Sequence, residues 1–135
     1  MIRRILFVCK YNRFRSKIAE ALFKKFNKNK NIKVKSAGII IGKYPLDKIQ
    51  IEISKKLDIN LSGKPQGIST DLLKWQDLII IVADDVPERI FNNSDYGKKT
   101  LVWKIKDAKS NNKKEIEKII ILIKKRIIKL KKDIK

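Results

Sequence analysis

The sequence predicts an α/β fold, a small doubly wound parallel sheet of four strands with helices on both faces. Short all-apolar runs alternate along the 135 residues with segments in which apolar side chains recur every three or four positions. The clearest run, at 78–82, has the pattern of a strand buried on both faces. Because strands alternate with helices, right-handed crossovers favour a parallel sheet. With no internal repeat or linker, residues 1–135 are predicted to form one domain.

The first half of the chain contributes two strands and two helices to this prediction. Residues 5–8 form the first apolar run, and 32–38 form the second strand. Between them a helix begins near Ser16, a residue type that suits a helix cap. The apolar stripe of this helix consists of Ile18, Ala19, Leu22, Phe23 and Phe26. A second helix, from about Leu46, carries on one face Ile49, Ile53 and Leu57.

The second half adds two strands and a long final helix. After the strand at 78–82, the sequence Asp-Asp-Val-Pro at 84–87 predicts a loop that starts another helix, since proline favours the first turn. Residues 101–103 predict a short fourth strand. The last helix is predicted over 112–134. Its apolar side consists of Ile116, Ile119, Ile120, Ile123, Ile127 and Leu130.

The composition limits the classes of function. With one cysteine and no histidine, the chain forms no internal disulfide and no zinc cluster, so we expect no metal and no cofactor. No apolar run reaches the roughly 18 residues of a membrane span. The free thiol suits a reducing compartment, and we expect a cytoplasmic monomer. The net charge of +20 is interpreted as a solvated lysine-rich surface, with nucleic-acid binding as the less favoured alternative.

The chemistry concentrates in the loop after the first strand. Cys9 ends that strand, and Arg15 and Ser16 open the next helix. A helix N-terminus attracts anions, and a thiol there beside arginine is favoured as the nucleophilic thiolate. Arg15 suits a bidentate contact with two phosphate oxygens, and Ser16 a hydrogen bond with the sulfur. The predicted phosphate-binding loop consists of Cys9, Lys10, Tyr11, Asn12, Arg13, Phe14, Arg15 and Ser16.

A structural role for Cys9 is the alternative. A lone cysteine beside a strand is often a small apolar residue at the edge of the core. The spacing from Cys9 to Arg15 is also a weak signal on its own. The strand before it, the helix after it and the serine directly after the arginine favour the catalytic interpretation.

These residues resemble the low-molecular-weight protein tyrosine phosphatase family, which includes related arsenate reductases. The match begins at Val8-Cys9-x5-Arg15-Ser16, with Asn12 in its family position. It continues through Ile18-Ala19-Glu20, Ser36-Ala37-Gly38, the segment 57–62, the strand at 77–82 and Trp103-x-Ile105-x-Asp107. The resemblance therefore covers almost the whole chain, in the order expected for the family.

The resemblance implies that Cys9 is the nucleophile, Arg15 the phosphate clamp and Asp107 the general acid and base. Asp107 follows the predicted fourth strand, so its loop lies at the same sheet edge as Cys9. A cap of the last helix is the alternative role for Asp107. The rival acids are Asp84, Asp85 and, more weakly, Asp95.

Several positions depart from the family pattern. Tyr11 stands where the family usually has glycine, Phe14 where it often has a second cysteine, and Lys17 where it has proline. The family's acid is commonly followed by proline and an aromatic residue, whereas Ala108 and Lys109 follow here. An aromatic wall, meaning aromatic side chains that flank the substrate, would have to come from other residues. Ordinary packing is the favoured role of these candidates. These are Tyr11, Tyr44 and Trp75.

The leading prediction is a cysteine-dependent phosphatase that hydrolyses phosphotyrosine or similar phosphomonoesters through a phosphocysteine intermediate. Its partner is then a phosphorylated protein or a small phosphomonoester. Arsenate reduction is a second hypothesis, which with one cysteine requires an external thiol. A third is a non-catalytic module that binds anions or RNA on the same fold.

Overall fold

The computed structural model contains one sheet of four parallel strands in the order β2-β1-β3-β4. The structure describes residues 1–42, 44–92, 99–109 and 111–134. The strands are β1 (Arg4–Cys9), β2 (Lys33–Gly38), β3 (Leu78–Val82) and β4 (Thr100–Trp103). The helices are α1 (Arg15–Phe26), α2 (Lys48–Lys56), α3 (Thr70–Trp75) and α4 (Lys113–Asp133), with a 3₁₀ helix at Glu88–Phe91. The predicted doubly wound fold is confirmed.

The order of the strands places a change in winding direction beside β1. The chain passes from β1 to β2 on one side and then crosses to β3 on the other. Near the end of β1, Val8 pairs with Ala37 of β2 and with Ile81 of β3. Ligands of such sheets bind outside the carboxyl ends of the strands at this point. Cys9, the last residue of β1, therefore stands at the expected position of a ligand site.

Alternate side chains of β1 enter two separate hydrophobic clusters. Phe7 belongs to the cluster that holds the buried faces of α1, α2 and α4, and its ring lies 6.2 Å from that of Phe23 and 6.0 Å from that of Trp103. Val8 belongs to the cluster built with α3 and the 3₁₀ helix. The predicted apolar side of α4 is buried in the first cluster. The strand that ends at Cys9 is therefore packed against a hydrophobic cluster on each face of the sheet.

Three local predictions differ from the structure. Helix α1 begins at Arg15 with Phe14 at its cap position and no side-chain cap, because the Ser16 hydroxyl contacts the Cys9 sulfur instead. The helix expected after 84–87 is a 3₁₀ helix of 4 residues. Helix α3 was not predicted, since 6 residues are too few to show a helical stripe.

The start of α4 tests the alternative role of Asp107 as a helix cap. The side chain of Asn112 caps this helix and accepts a hydrogen bond from the Glu115 N–H at 3.1 Å. Asp107 lies well before this cap, so its alternative role as the cap is wrong. The rival acid Asp95 lies outside the described residues.

Candidate active site

The thiol of Cys9 is buried and hydrogen-bonded at the end of β1. Cys9 is 2% exposed, and its sulfur lies 3.0 Å from Oγ of Ser16. Oγ of Ser16 also accepts a hydrogen bond from Nδ2 of Asn12 at 2.8 Å. Because an amide nitrogen can only donate, the Ser16 hydroxyl hydrogen is free to point at the sulfur. A hydroxyl that donates a hydrogen bond to the sulfur stabilises negative charge on it.

Asn12 organises the loop from its centre. Its backbone has φ of 56°, in the left-handed region that asparagine tolerates better than most residues. Nδ2 of Asn12 donates to Oγ of Ser36 at 2.9 Å, and Oδ1 accepts from the Gln66 N–H at 2.9 Å. Ser36 in turn donates to Oε1 of Glu20 at 2.6 Å. One buried side chain therefore ties the loop to α1, to β2 and to the segment before α3.

Gly38, the last residue of β2, lies directly against the backbone of the loop. A Cβ atom there would stand 2.6 Å from the carbonyl carbon of Tyr11 and 2.7 Å from the nitrogen of Asn12. Both neighbours are backbone atoms, which cannot swing aside as a flexible side chain can. Only glycine therefore fits at this position without displacing the loop.

Replacing Gly38 with alanine is expected to lower the free energy of unfolding by about 1–3 kcal/mol, the usual cost of overpacking. It should also weaken binding of vanadate, a phosphate-like oxyanion, because the loop that alanine would displace is the predicted phosphate-binding loop. Urea denaturation and vanadate inhibition measure the two effects. Gly42→Ala is the matched control, since the nearest atom to its Cβ is 3.9 Å away. Equal stability and inhibition of the two variants would contradict the prediction.

Arg15 is held at the centre of a group of oxygen acceptors. The residue is 2% exposed, and Nη1 donates to the carbonyl oxygen of Ile105 at 2.9 Å. Nη2 lies 3.0 Å from Oδ1 of Asp85, and Nη1 lies 3.7 Å from Oδ1 of Asp84. Nε lies 3.7 Å from Oδ1 of Asp107. These contacts fix the plane of the guanidinium beside the loop and balance its charge.

A cavity of about 80 Å³ opens at this edge of the sheet. Asp107 lines it together with Cys9 and Arg15, whereas Asp84 and Asp85 are not among its described lining residues. The two rival acids thus contact Arg15 from outside the cavity that holds the thiol. The lining residues are Cys9, Tyr11, Arg13, Phe14, Arg15, Asp47, Gln50, Asp107 and Ala108.

The remaining residues of the predicted loop and the proposed aromatic wall take different places. Arg13 donates from Nε to the Pro45 carbonyl oxygen at 2.9 Å, with its guanidinium carbon 5.8 Å from the centre of the Tyr44 ring. The ammonium of Lys10 stands 5.3 Å from the centre of the Tyr11 ring. Tyr11 lines the cavity directly, whereas Tyr44 lies behind Arg13.

Trp75 lies at the end of α3, where its ring contacts the Lys35 ammonium at 4.6 Å. Its carbonyl oxygen accepts a hydrogen bond from Nη1 of Arg4 at the start of β1, whereas Cys9 ends that strand, so Trp75 does not form an aromatic wall of the cavity.

Sequence reasoning missed two residues of the cavity, Asp47 and Gln50. The side chain of Asp47 caps α2 by accepting hydrogen bonds from the N–H groups of Ile49 and Gln50. An aspartate just before a helical stripe is a signal for such a cap. No pattern in the sequence indicates that the start of α2 lies against the loop.

Lys17, where the family has proline, is 8% exposed on α1. Burial lowers the pKa of its ammonium from the ordinary value of 10.5, and the nearby carboxylate of Glu20 opposes that shift. The charged form of Lys17 therefore costs stability in the folded protein.

Replacing Lys17 with methionine is expected to raise the free energy of unfolding at neutral pH, since the buried ammonium is removed. The difference in the free energy of unfolding between the variant and the wild type should shrink as the pH rises from the lowered pKa of Lys17 in the folded protein towards 10.5. In that window the unfolded wild type holds a proton that the folded protein has lost, so wild-type stability increases with pH. Urea unfolding of both proteins at about pH 7 and about pH 10 measures this. A difference that stays constant with pH would contradict the assignment.

Within the described ranges, no helix is both long enough and apolar enough to cross a membrane. Nor does this part of the chain gather three or more histidine, cysteine, aspartate or glutamate residues into a set that could hold a metal ion.

The fold is that of the α/β proteins with an open parallel sheet, which bind ligands outside the carboxyl ends of the strands, and there a thiol, a guanidinium and a carboxylate line one cavity. The family model for low molecular weight phosphotyrosine protein phosphatase matches residues 4–135. The chain belongs to this family, and it is a phosphatase of the hydrolase class.

Solved structures with the same fold include proteins of three activities. The low molecular weight protein tyrosine phosphatase of T. tengcongensis is 24% identical, with a TM-score of 0.85 over 98% of this chain and 99% of that chain. The YwlE arginine phosphatase of Geobacillus stearothermophilus is 20% identical, with a TM-score of 0.84 over 97% of this chain and 92% of that chain. The thioredoxin-dependent arsenate reductase Cg_ArsC1' of Corynebacterium glutamicum is 27% identical, with a TM-score of 0.74 over 98% of this chain and 61% of that chain. No curated protein sequence matches the chain.

Proposed function

We propose that this phosphatase hydrolyses phosphotyrosine or similar phosphomonoesters through a phosphocysteine intermediate. The observation that carries the proposal is that Cys9, Arg15 and Asp107 line one and the same cavity. These residues supply a nucleophile, a cation for the phosphate oxygens and a carboxyl group that can move a proton. The substrate is a phosphorylated protein or a small phosphomonoester.

In the first step the Cys9 thiolate attacks phosphorus, and the bond from phosphorus to the ester oxygen breaks. The carboxyl group of Asp107 donates its proton to that oxygen as it leaves. Arg15 and the backbone N–H groups of the loop stabilise the charge on the other phosphate oxygens. Since Arg15 already faces Asp84, Asp85 and Asp107, the phosphate joins a guanidinium whose orientation is set before binding.

In the second step water attacks the phosphocysteine, and the sulfur–phosphorus bond breaks. The carboxylate of Asp107 accepts the proton of the water, so the residue returns to its starting form. The Ser16 hydroxyl, 3.0 Å from the sulfur, stabilises the thiolate that leaves. Phosphate is released and the site is regenerated.

A panel of substrates tests this proposal. We expect turnover of an aryl phosphate and of a phosphotyrosine peptide, with a phosphoryl group trapped on the Cys9 peptide after rapid quenching. Phosphoarginine and arsenate with added thiols are the competing substrates, and an RNA oligonucleotide tests binding alone. Salt-sensitive RNA binding without turnover of any phosphate compound would overturn the proposal.

A further inference from the structure

Gln50 is a buried polar residue in the cavity that the two chemical steps above do not use. It is 5% exposed and lines the cavity together with Cys9, Arg15 and Asp107. Its backbone N–H donates to Oδ1 of Asp47 at 3.1 Å, whereas its side-chain amide has no partner among the described residues. Buried amides are nearly always hydrogen-bonded, because an unpaired one costs stability. The amide atoms of Gln50 are not fully enclosed, so a molecule that enters the cavity can reach them and supply the partner.

The position of Gln50 is fixed by the helix that carries it. Asp47 caps α2 and also accepts from the Ile49 N–H at 2.9 Å, which holds the first turn of the helix. One turn further, Ile53 is 1% exposed in the hydrophobic core. A residue anchored on both sides in this way can orient a small molecule, whereas a mobile loop residue cannot.

The chemistry of the amide indicates which molecule this is. A phosphoryl group offers only acceptors, and in the proposed mechanism Arg15 and the loop N–H groups bind them. The attacking water has two hydrogens, of which Asp107 takes one, so the second needs another acceptor. The amide oxygen of Gln50 is an acceptor that holds this hydrogen without removing it.

We propose that Gln50 positions the water that hydrolyses the phosphocysteine. The inference rests on the proposed function. With its hydrogens directed at Asp107 and Gln50, the water presents a lone pair to phosphorus. An oxygen–phosphorus bond forms, the sulfur–phosphorus bond breaks, and the proton passes to the Asp107 carboxylate. Gln50 neither gains nor loses a proton.

The test compares the formation and the decay of the phosphoenzyme in Gln50→Leu and in the wild type, by rapid quenching with an aryl phosphate. The first step uses no water, so its rate constant and the inhibition by vanadate should be unchanged. The decay should slow by about tenfold, the effect of one lost hydrogen bond. Gln50→Ala should reproduce the slow decay, and Glu52→Leu is the control on the exposed face of the same helix.

Each outcome separates this inference from the proposal on which it rests. A phosphoenzyme that decays at the wild-type rate in Gln50→Leu would overturn the role of Gln50 and leave the proposed function intact. Equal slowing of formation and decay would also overturn it, since that indicates a general disturbance of the site. A wild-type protein that forms no phosphoenzyme would overturn both.

Discussion

Replacing Cys9 with serine is expected to lower kcat for an aryl phosphate by about 10⁴-fold or more, as removal of a catalytic nucleophile does in other enzymes. The serine hydroxyl is of similar size, so its contact with Oγ of Ser16 and the hydrogen bond from Asn12 to Ser16 should persist. It is not ionised at neutral pH, however, and it cannot form the phosphocysteine. The measurement is steady-state turnover, together with rapid quenching to detect the intermediate.

Binding and folding controls make the Cys9→Ser result specific. The variant should retain binding of inorganic phosphate, because Arg15 and the loop N–H groups remain, and its thermal unfolding should change little. Ser16→Ala is the comparison within the loop. It removes the hydroxyl 3.0 Å from the sulfur but leaves the thiol, so about tenfold loss is expected. Substantial turnover by Cys9→Ser would show that the thiol is not the nucleophile.

Replacing Asp107 with asparagine is expected to lower kcat by about 10²–10⁴-fold for substrates with a poor leaving group, the usual contribution of a general acid. Asparagine keeps the shape of the side chain and can still accept from the Ala108 N–H, which donates to Oδ1 of Asp107 at 3.0 Å. It has no proton to give to the leaving oxygen. The loss in kcat/KM, which reports the first step, should therefore be larger for phenyl phosphate than for p-nitrophenyl phosphate, whose leaving group needs less help.

The rival carboxylates provide the control for Asp107. Asp85, whose Oδ1 lies 3.0 Å from Nη2 of Arg15, positions the guanidinium from outside the cavity. Asp85→Asn should therefore raise KM or weaken vanadate binding, with equal effects on the two aryl phosphates. Asp84→Asn should have a smaller effect of the same kind, since its contact is longer, at 3.7 Å. A leaving-group dependence confined to Asp84→Asn or Asp85→Asn would show that the acid is not Asp107.

The elements with strong local patterns could be predicted from the sequence. The strand at 78–82 has the observed bounds, because an apolar run of only five residues is typical of a strand that is buried on both faces. The apolar stripe of α4 identified each of its six buried residues, since period and burial are linked along a long helix. Helix α3 and the 3₁₀ helix are too short for such patterns. Their positions depend on packing against the second cluster.

The sequence by itself determined the order of the four strands and of helices α1, α2 and α4, and it indicated the loop from Cys9 to Ser16, because adjacent residues and regular spacings encode them. Only the tertiary structure decided what surrounds that loop. The approach of Gly38 to the loop backbone, the contacts of Asn12 with distant residues and the entry of Gln50 into the cavity join segments far apart in the chain. Such contacts follow from how strands pair and helices pack, and no local pattern records them.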